Sequence, residues 1–586
     1  MTDLIESAHR GIGMIYRCRL LLILFFAFLL ATTPSVTRAG GGPENVFLVV
    51  NPLSPDSLAI ANYYSQLRQI PGINVFRLAW GGSRESIPVE TFRQQILEPI
   101  MNEIGRRRLE SQIDYIVYSS GFPYAVDFSA DVRSTLPRVA GRQGSITGLT
   151  FFQEQVRSRD TSYVYTSQSQ RANHYESTRT RGFRSQYGWN PRGQRVGLNG
   201  SNYYLSMMLG YTDGRGNSLP EVVQYLRRSV LADCTQPQGT IYLMRVQNEV
   251  RSQTRDSAFS EVARTLNDMG VKAEVMDGVL PMGRPDVLGV VTGRAKYDWS
   301  KTRSTIQPGA ICENLTSFGG ILRSNATQTP LTEFLRYGAA ASSGTVVEPF
   351  ALQAKFPHPW VQVHYARGAT VAEAFYQAVA SPYQLLMVGD PLCRPWASAP
   401  NFTIDGPLPN STVSGTINLR PVATSARIRE FQLFVNGRFR RVCQPGDSFE
   451  LNTVDIADGY QEMRIVAIED SEIESQSRLI LPLNVANRGM KIEWGIQPKT
   501  IYDNSRIQLL LTGKGTKAIH VFHEREPLGT VNLAMGQVTI DASKLGVGPV
   551  TLTAIGIGED PAEKVYAAPI QFVVRPRDEL SGIGVN

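Results

Sequence analysis

Cysteine and histidine are both scarce in this 586-residue chain, five of the first and six of the second. Cys18, Cys234, Cys312, Cys393 and Cys443 stand far apart with no CxxC among them. That spacing argues against a disulfide framework and for buried single thiols. No HExxH or paired Cys/His spacing offers a zinc site, so no metal is expected. The GxSxG of a serine-hydrolase elbow is missing. Neither GxxxxGK[ST] nor GxGxxG follows a strand-like run, and no cofactor of any kind is expected. With 42% hydrophobic and 19% charged residues, wholesale disorder is excluded.

What is present begins at the N-terminus. Arg10, Arg17 and Arg19 precede the apolar run Leu20 to Ala31, and Thr37-Arg38-Ala39 follows as a cleavage pattern. This is the layout of a signal peptide over residues 1–39, and it predicts export to the periplasm or cell surface. Twelve residues make about 18 Å of helix, short of the roughly 30 Å hydrocarbon core, so a retained membrane tether is the weaker reading.

The formal charge of +7 is concentrated. Between Ser129 and Gly200 stand eleven Arg, no Lys and four acidic residues, so that segment alone carries +7. Interleaved with Phe151, Phe152, Tyr163, Tyr165, Tyr175, Phe183, Tyr187 and Trp189, these arginines could grip an anionic cell-surface polymer. Nucleic acid is a poor fit for an exported chain, and a solvated loop is the plainer reading. The segment lacks periodicity and reads as an insertion rising from the carboxyl edge of a sheet and roofing it.

From residue 40 to 398 the chain alternates strand and helix, which predicts a doubly wound, mostly parallel α/β sheet. Val46 to Val50 is apolar on both faces, as a central parallel strand requires. A helix from Leu58 to Ile70 follows, with Ser54 or Asp56 as its N-cap, then strands at Asn74 to Leu78 and Asp114 to Tyr118. Ser201 to Leu209 reads as a helix. Strands follow at Gly239 to Met244, Val271 to Met276 and Val287 to Val291, with a helix at Ala258 to Met269.

The richest stretch is Pro308 to Phe350. A strand at Gly309 to Cys312, a helix near Pro330 to Tyr337 and a strand at Ala339 to Val347 predict a right-handed βαβ crossover. Ligands of such sheets sit beyond the carboxyl ends of the strands. The candidate binding residues there are Asn51, Asp56, Ser120, Asn314, Thr316, Ser317, Thr345, Glu348 and Asp390. Capping and turn roles compete for each carboxylate among them.

Beyond Trp396 to Asn401 the texture changes to short alternating strands, predicting immunoglobulin-like β-sandwiches over 399–488 and 489–578. Asn436-Gly437 marks a hairpin in the first. Such modules serve as spacers, docking surfaces or stabilisers.

The stretches VVNPLSPDSLAIANYYSQLRQIP, PGAICENLTSFGG, RYGAAASSGTVVEP and VGDPLCRP resemble an uncharacterised family of secreted bacterial proteins that carries these blocks in this order. The succession of strands, a terminal GDP turn and an immunoglobulin-like module is distantly similar to the gingipain/caspase-like cysteine peptidases. That resemblance implies a His-Gly at the end of one strand and a catalytic Cys at the end of the next, the histidine generating the thiolate. Here Thr292-Gly293-Arg294 stands where the His-Gly would be. Cys312 falls near the nucleophile's place but inside an apolar strand, where a structural thiol is the default. The expectation is an exported, non-catalytic or degenerate peptidase-like binding protein for a peptide or an anionic polymer. A cysteine peptidase, or another hydrolase using Cys312 or the clustered carboxylates, is the alternative.

Overall fold

The computed structural model describes residues 41–132, 136–165, 171–197, 199–424, 427–495 and 500–577. The signal segment and its cleavage pattern lie outside the described residues. Among the described residues no helix is long and apolar enough to cross a membrane.

Ten strands form a mixed α/β sheet: β1 (Val46–Val50), β2 (Val75–Arg77), β3 (Tyr115–Tyr118), β4 (Leu205–Met208), β5 (Thr240–Arg245), β6 (Ala273–Asp277), β7 (Val287–Thr292), β8 (Ile306–Asn314), β9 (Ala341–Thr345) and β10 (Leu385–Gly389). Their order is β6-β5-β7-β8-β9-β10-β4-β3-β1-β2. β1 is buried along its whole length, as its unbroken apolar run requires. It feeds α1 (Pro55–Arg68), whose N-cap Ser54 accepts a hydrogen bond from the Ser57 amide. The expected crossover is present, since β8 and β9 are parallel with Ile311 opposite Ala341. Its helix is only Thr332–Arg336.

β10 runs antiparallel to β9. It meets β4 at a single bridge, Val388 with Met208, whose local pattern is parallel. One bridge is a weak guide to the sense of the two halves, and the helix α2 (Leu219–Ala232) that follows β4 is a stronger one. At the start of α2, Arg215 donates its amide to Leu322 O at 2.7 Å and Asn217 Nδ2 donates to Thr332 O at 3.1 Å. Near its end, Ser229 O accepts from Cys393 Sγ, and Ala232 packs on Gly309 at the amino end of β8. α2 therefore descends beside β8, and β4 and β8 rise together with their carboxyl-end loops in contact.

Three expectations need correction. Ser201 to Leu209 is no helix, because Leu205–Met208 is a fully buried strand. A short apolar run buried on both faces lacks the periodicity that separates the two states. The arginine-rich insertion does not simply roof the carboxyl edge. Residues 136–165 lie there, with Ser145 Oγ donating to Leu385 O at 2.8 Å. Residues 171–197 instead strap the amino edge: Arg184 pairs with Asp114, and Asn173 Nδ2 donates to Tyr376 O and Val379 O. Asp390, at the end of the antiparallel β10, also belongs to the amino edge. It pairs with Arg68 and accepts from Tyr64 Oη at 3.1 Å.

The remaining chain builds β-sandwich regions around two further apolar cores, one from Phe402 to Leu483 and one from Met490 to Val574. Asn436 and Gly437 both have positive φ, as a tight two-residue hairpin between Ile428–Val435 and Arg438–Cys443 demands. The two regions share an eleven-stranded sheet through Asp458 opposite Val565 and Gly459 opposite Tyr566. The buried Asp458 carboxylate accepts from the Asn487, Arg488 and Met490 amides and fixes the connection between them. Both also dock on the α/β unit. Gln112 Nε2 donates to Gly437 O at 2.8 Å, and Asn62 Nδ2 donates to Leu545 O at 3.0 Å. These contacts make them braces rather than spacers.

Candidate functional site

The carboxyl ends of β7, β8 and β9 lie side by side and form a lip that carries several of the candidate residues. Thr345 Oγ1 donates to Ser317 O at 2.9 Å and to Thr316 O at 3.1 Å, so these three residues gather at one edge. Thr316 Oγ1 in turn donates to Gln328 Oε1. Asn314 locks to Arg294, accepting from its amide at 2.9 Å and donating to its carbonyl at 2.9 Å. Glu348 lies on the adjoining loop, half-buried, and accepts from the Phe350 amide. From the other half, Ser120 Oγ meets Thr212 Oγ1 at 3.3 Å. Asn51 uses its whole amide to tie Trp80 to Gly121. Asp56 sits half-buried in the first turn of α1. Most of these residues hold loops in place, and Ser317 and Glu348 are the ones with exposed surface at the lip.

Beneath the lip lies a group of charged residues. Glu313, on β8 and 1% exposed, accepts the Ser343 amide at 2.6 Å through Oε1. Burial pushes its carboxyl up to about 7, against the opposing pull of Arg255 and the Ser343 bonds. Arg255 is itself buried, donating to Thr292 O at 2.5 Å and to Pro357 O at 3.2 Å, while its Nε has no partner. Burial draws its guanidinium down to about 10, with Glu313 opposing. His358 is drawn down to about 4 by burial and then by Arg255, so its imidazole is neutral at physiological pH. On the adjoining loop, burial draws Lys355 down to about 7 against the pull of Glu348. The hydroxyls of Ser342 and Ser343 are buried without a hydrogen-bond partner.

Cys312 is fully buried in β8. Burial raises its thiol far above the ordinary range, the Glu313 charge adds to the effect, and the bond to the Val290 backbone opposes it. Among the described residues no histidine hydrogen-bonds to it. The place of the dyad's histidine is held by Thr292, and the glycine after it is required, since a Cβ on Gly293 would stand 2.5 Å from the Arg251 carbonyl carbon. Thr292 Oγ1 is spent on Val279 O at 2.6 Å, and Arg294 pairs with Glu249. The sequence brought Thr316, Ser317 and Thr345 to one edge but did not reveal the Glu313–Arg255 pair. A charged residue inside AICEN was a visible signal for Glu313; nothing marked Arg255, which arrives from a distant turn. Among the described residues no cluster of three or more His, Cys, Asp or Glu side chains could hold a metal ion.

No protein-family model matches the chain, and no curated protein matches it. Among solved structures, the fibronectin(III)-like modules of Clostridium thermocellum CbhA align over 30% of this chain and 95% of theirs, at 14% identity and a TM-score of 0.14. A chimeric titin Z1Z2 tandem aligns over 30% of this chain and 99% of its own, at 12% identity and a TM-score of 0.20. The Ig1-2 module of the Drosophila receptor protein tyrosine phosphatase DLAR aligns over 30% of this chain and all of its own, at 12% identity and a TM-score of 0.13.

Proposed function

We propose that this chain is an exported binding protein, built on a peptidase-like α/β platform that lacks its catalytic dyad and is braced by two immunoglobulin-like sandwiches. Its ligand is a peptide laid along the lip of β8 and β9. The observation that carries the reading is the state of Cys312: fully buried, its thiol pushed up, and without a histidine partner among the described residues. A thiol in that state is packing, since nucleophilic cysteines need a nearby base or a depressed pKa. The lip around it is rigidly held by the Thr345, Thr316 and Asn314 bonds, which suits preorganised recognition.

A peptide-array screen on the purified chain tests this. Ligands should be lost in Ser317→Arg, which places bulk on the half-buried lip, and kept in Cys312→Ser. Hydrolysis of array peptides that vanishes in Cys312→Ser would overturn the reading in favour of a cysteine peptidase. Ligands indifferent to Ser317→Arg would place the binding face elsewhere.

A further inference from the structure

We infer that the chain carries a second binding site, for an acidic polysaccharide, in the notch where the α/β unit and both sandwich regions meet. The notch has a volume of about 260 Å³. It is lined by Arg77 at the end of β2, by Arg106, Arg107 and Arg525, and by the carboxylates of Glu103, Glu524 and Glu526. Arg77 lines it with its side chain 9% exposed; Nη1 donates to Lys544 O at 3.1 Å and Nη2 to His523 Nδ1 at 2.5 Å, and Nε alone has no hydrogen-bond partner. Glu524 stands 3.9 Å from that nitrogen, within ion-pair range but beyond a hydrogen bond.

The rim is basic and assembled from all three parts of the chain. Arg108 comes from the α/β unit, Arg438 and Arg440 from the Asn436-Gly437 hairpin, and Arg525 from the hairpin between Ala518–His523 and Glu526–Val531. Arg438 Nη1 donates to Arg107 O at 2.6 Å, which fixes the two segments side by side. Burial draws the Arg438 guanidinium down, and the charges of Arg525, Arg440 and Arg108 draw it further. Glu103 is engaged by Arg106 and Arg107, leaving Arg108, Arg440 and Arg525 exposed to solvent.

The shape chooses among anions. A flat bilayer would meet only the outermost of these arginines, whereas a slim polymer can follow the notch and set successive carboxylates against Arg525, Arg440 and Arg108. This surface is distinct from the insertion, whose Arg181 and Arg195 are engaged over Trp189 and Tyr187 at 4.2 and 4.5 Å.

The test is binding of polygalacturonate to the full chain, with neutral dextran and phosphatidylglycerol vesicles as comparison arms. Polygalacturonate should bind, dextran should not, and affinity should fall as salt rises. Arg440→Gln with Arg525→Gln should weaken binding about tenfold and reduce the slope of log affinity against log salt by about one per arginine. The insertion pair Arg179→Gln with Arg192→Gln should leave both values unchanged. Both notch positions are exposed, so thermal unfolding of the double variant should match wild type and exclude misfolding. Absence of binding at low salt, equal binding in the notch variant, or preference for vesicles would each overturn the proposal.

Discussion

The two edges of the ten-stranded sheet treat buried charge in opposite ways. At the amino edge four carboxylates have a guanidinium against them, Asp390 and Asp233 on Arg68, Asp114 on Arg184 and Glu44 between Arg464 and Arg478, while buried Glu373 accepts instead from the Phe183 and Thr370 amides and the Thr370 hydroxyl. Desolvation drags on Arg68, yet Asp390 and Asp233 outweigh it and hold the guanidinium charged. At the carboxyl edge Glu313 faces Arg255 without a hydrogen bond between their side chains, and Lys355 has Glu348 only as a neighbour. Fully matched charges lock elements together, and they sit where the insertion strap and the first sandwich dock. The incompletely matched ones lie beneath the edge at which the peptide is proposed to bind.

Removing a partner at each edge exposes the difference. Asp390→Ala leaves Arg68 with only the half-buried Asp233 and should cost about 3–5 kcal/mol in denaturant unfolding, the penalty of an orphaned buried charge. A cost under about 1 kcal/mol would mean that water reaches the pair. At the other edge the signature is pH dependence. The folded-state pKa of Glu313, about 7, lies above the ordinary 4.5, so the native state holds a proton that the unfolded chain has already lost. Stability should therefore fall as pH rises from about 4.5 to 7 and level off above, by about 3 kcal/mol in all. Glu313→Gln should flatten that slope, and a slope that survives the substitution would assign it to another group. Smallest is Thr345→Val, which removes the hydroxyl bonded to the Thr316 and Ser317 carbonyls and should cost about 1 kcal/mol.

Much of the fold was legible in the residues, and the pairing of buried charge was not. The unbroken apolar run of β1 announces a central parallel strand, and the Asn436-Gly437 pair announces its hairpin through the positive φ that both residues adopt. Thr316, Ser317 and Thr345 converge because the parallel crossover sets their ends side by side. What escaped depends on partners remote in sequence. β4 carries YYLSMML, whose composition suits a helix as well as a buried strand, and only its neighbours decide. Asp390 follows the one strand that runs against its neighbour β9, a reversal that alternation of strand and helix cannot announce. Arg255 meets Glu313 from some sixty residues away in the chain. The insertion's arginines look like free cations in sequence, but Asp114, Glu472 and three aromatic rings absorb several of them.

The most direct measurement is the alkylation rate of Cys312 in the native chain, followed by peptide mapping across pH 6 to 9, with half-buried Cys234 as internal reference. The account predicts that Cys312 reacts orders of magnitude more slowly than Cys234, at a rate set by local opening, and reaches the rate of a free thiol only in denaturant. Rapid native alkylation of Cys312 with a midpoint below pH 8 would contradict it and restore the cysteine nucleophile.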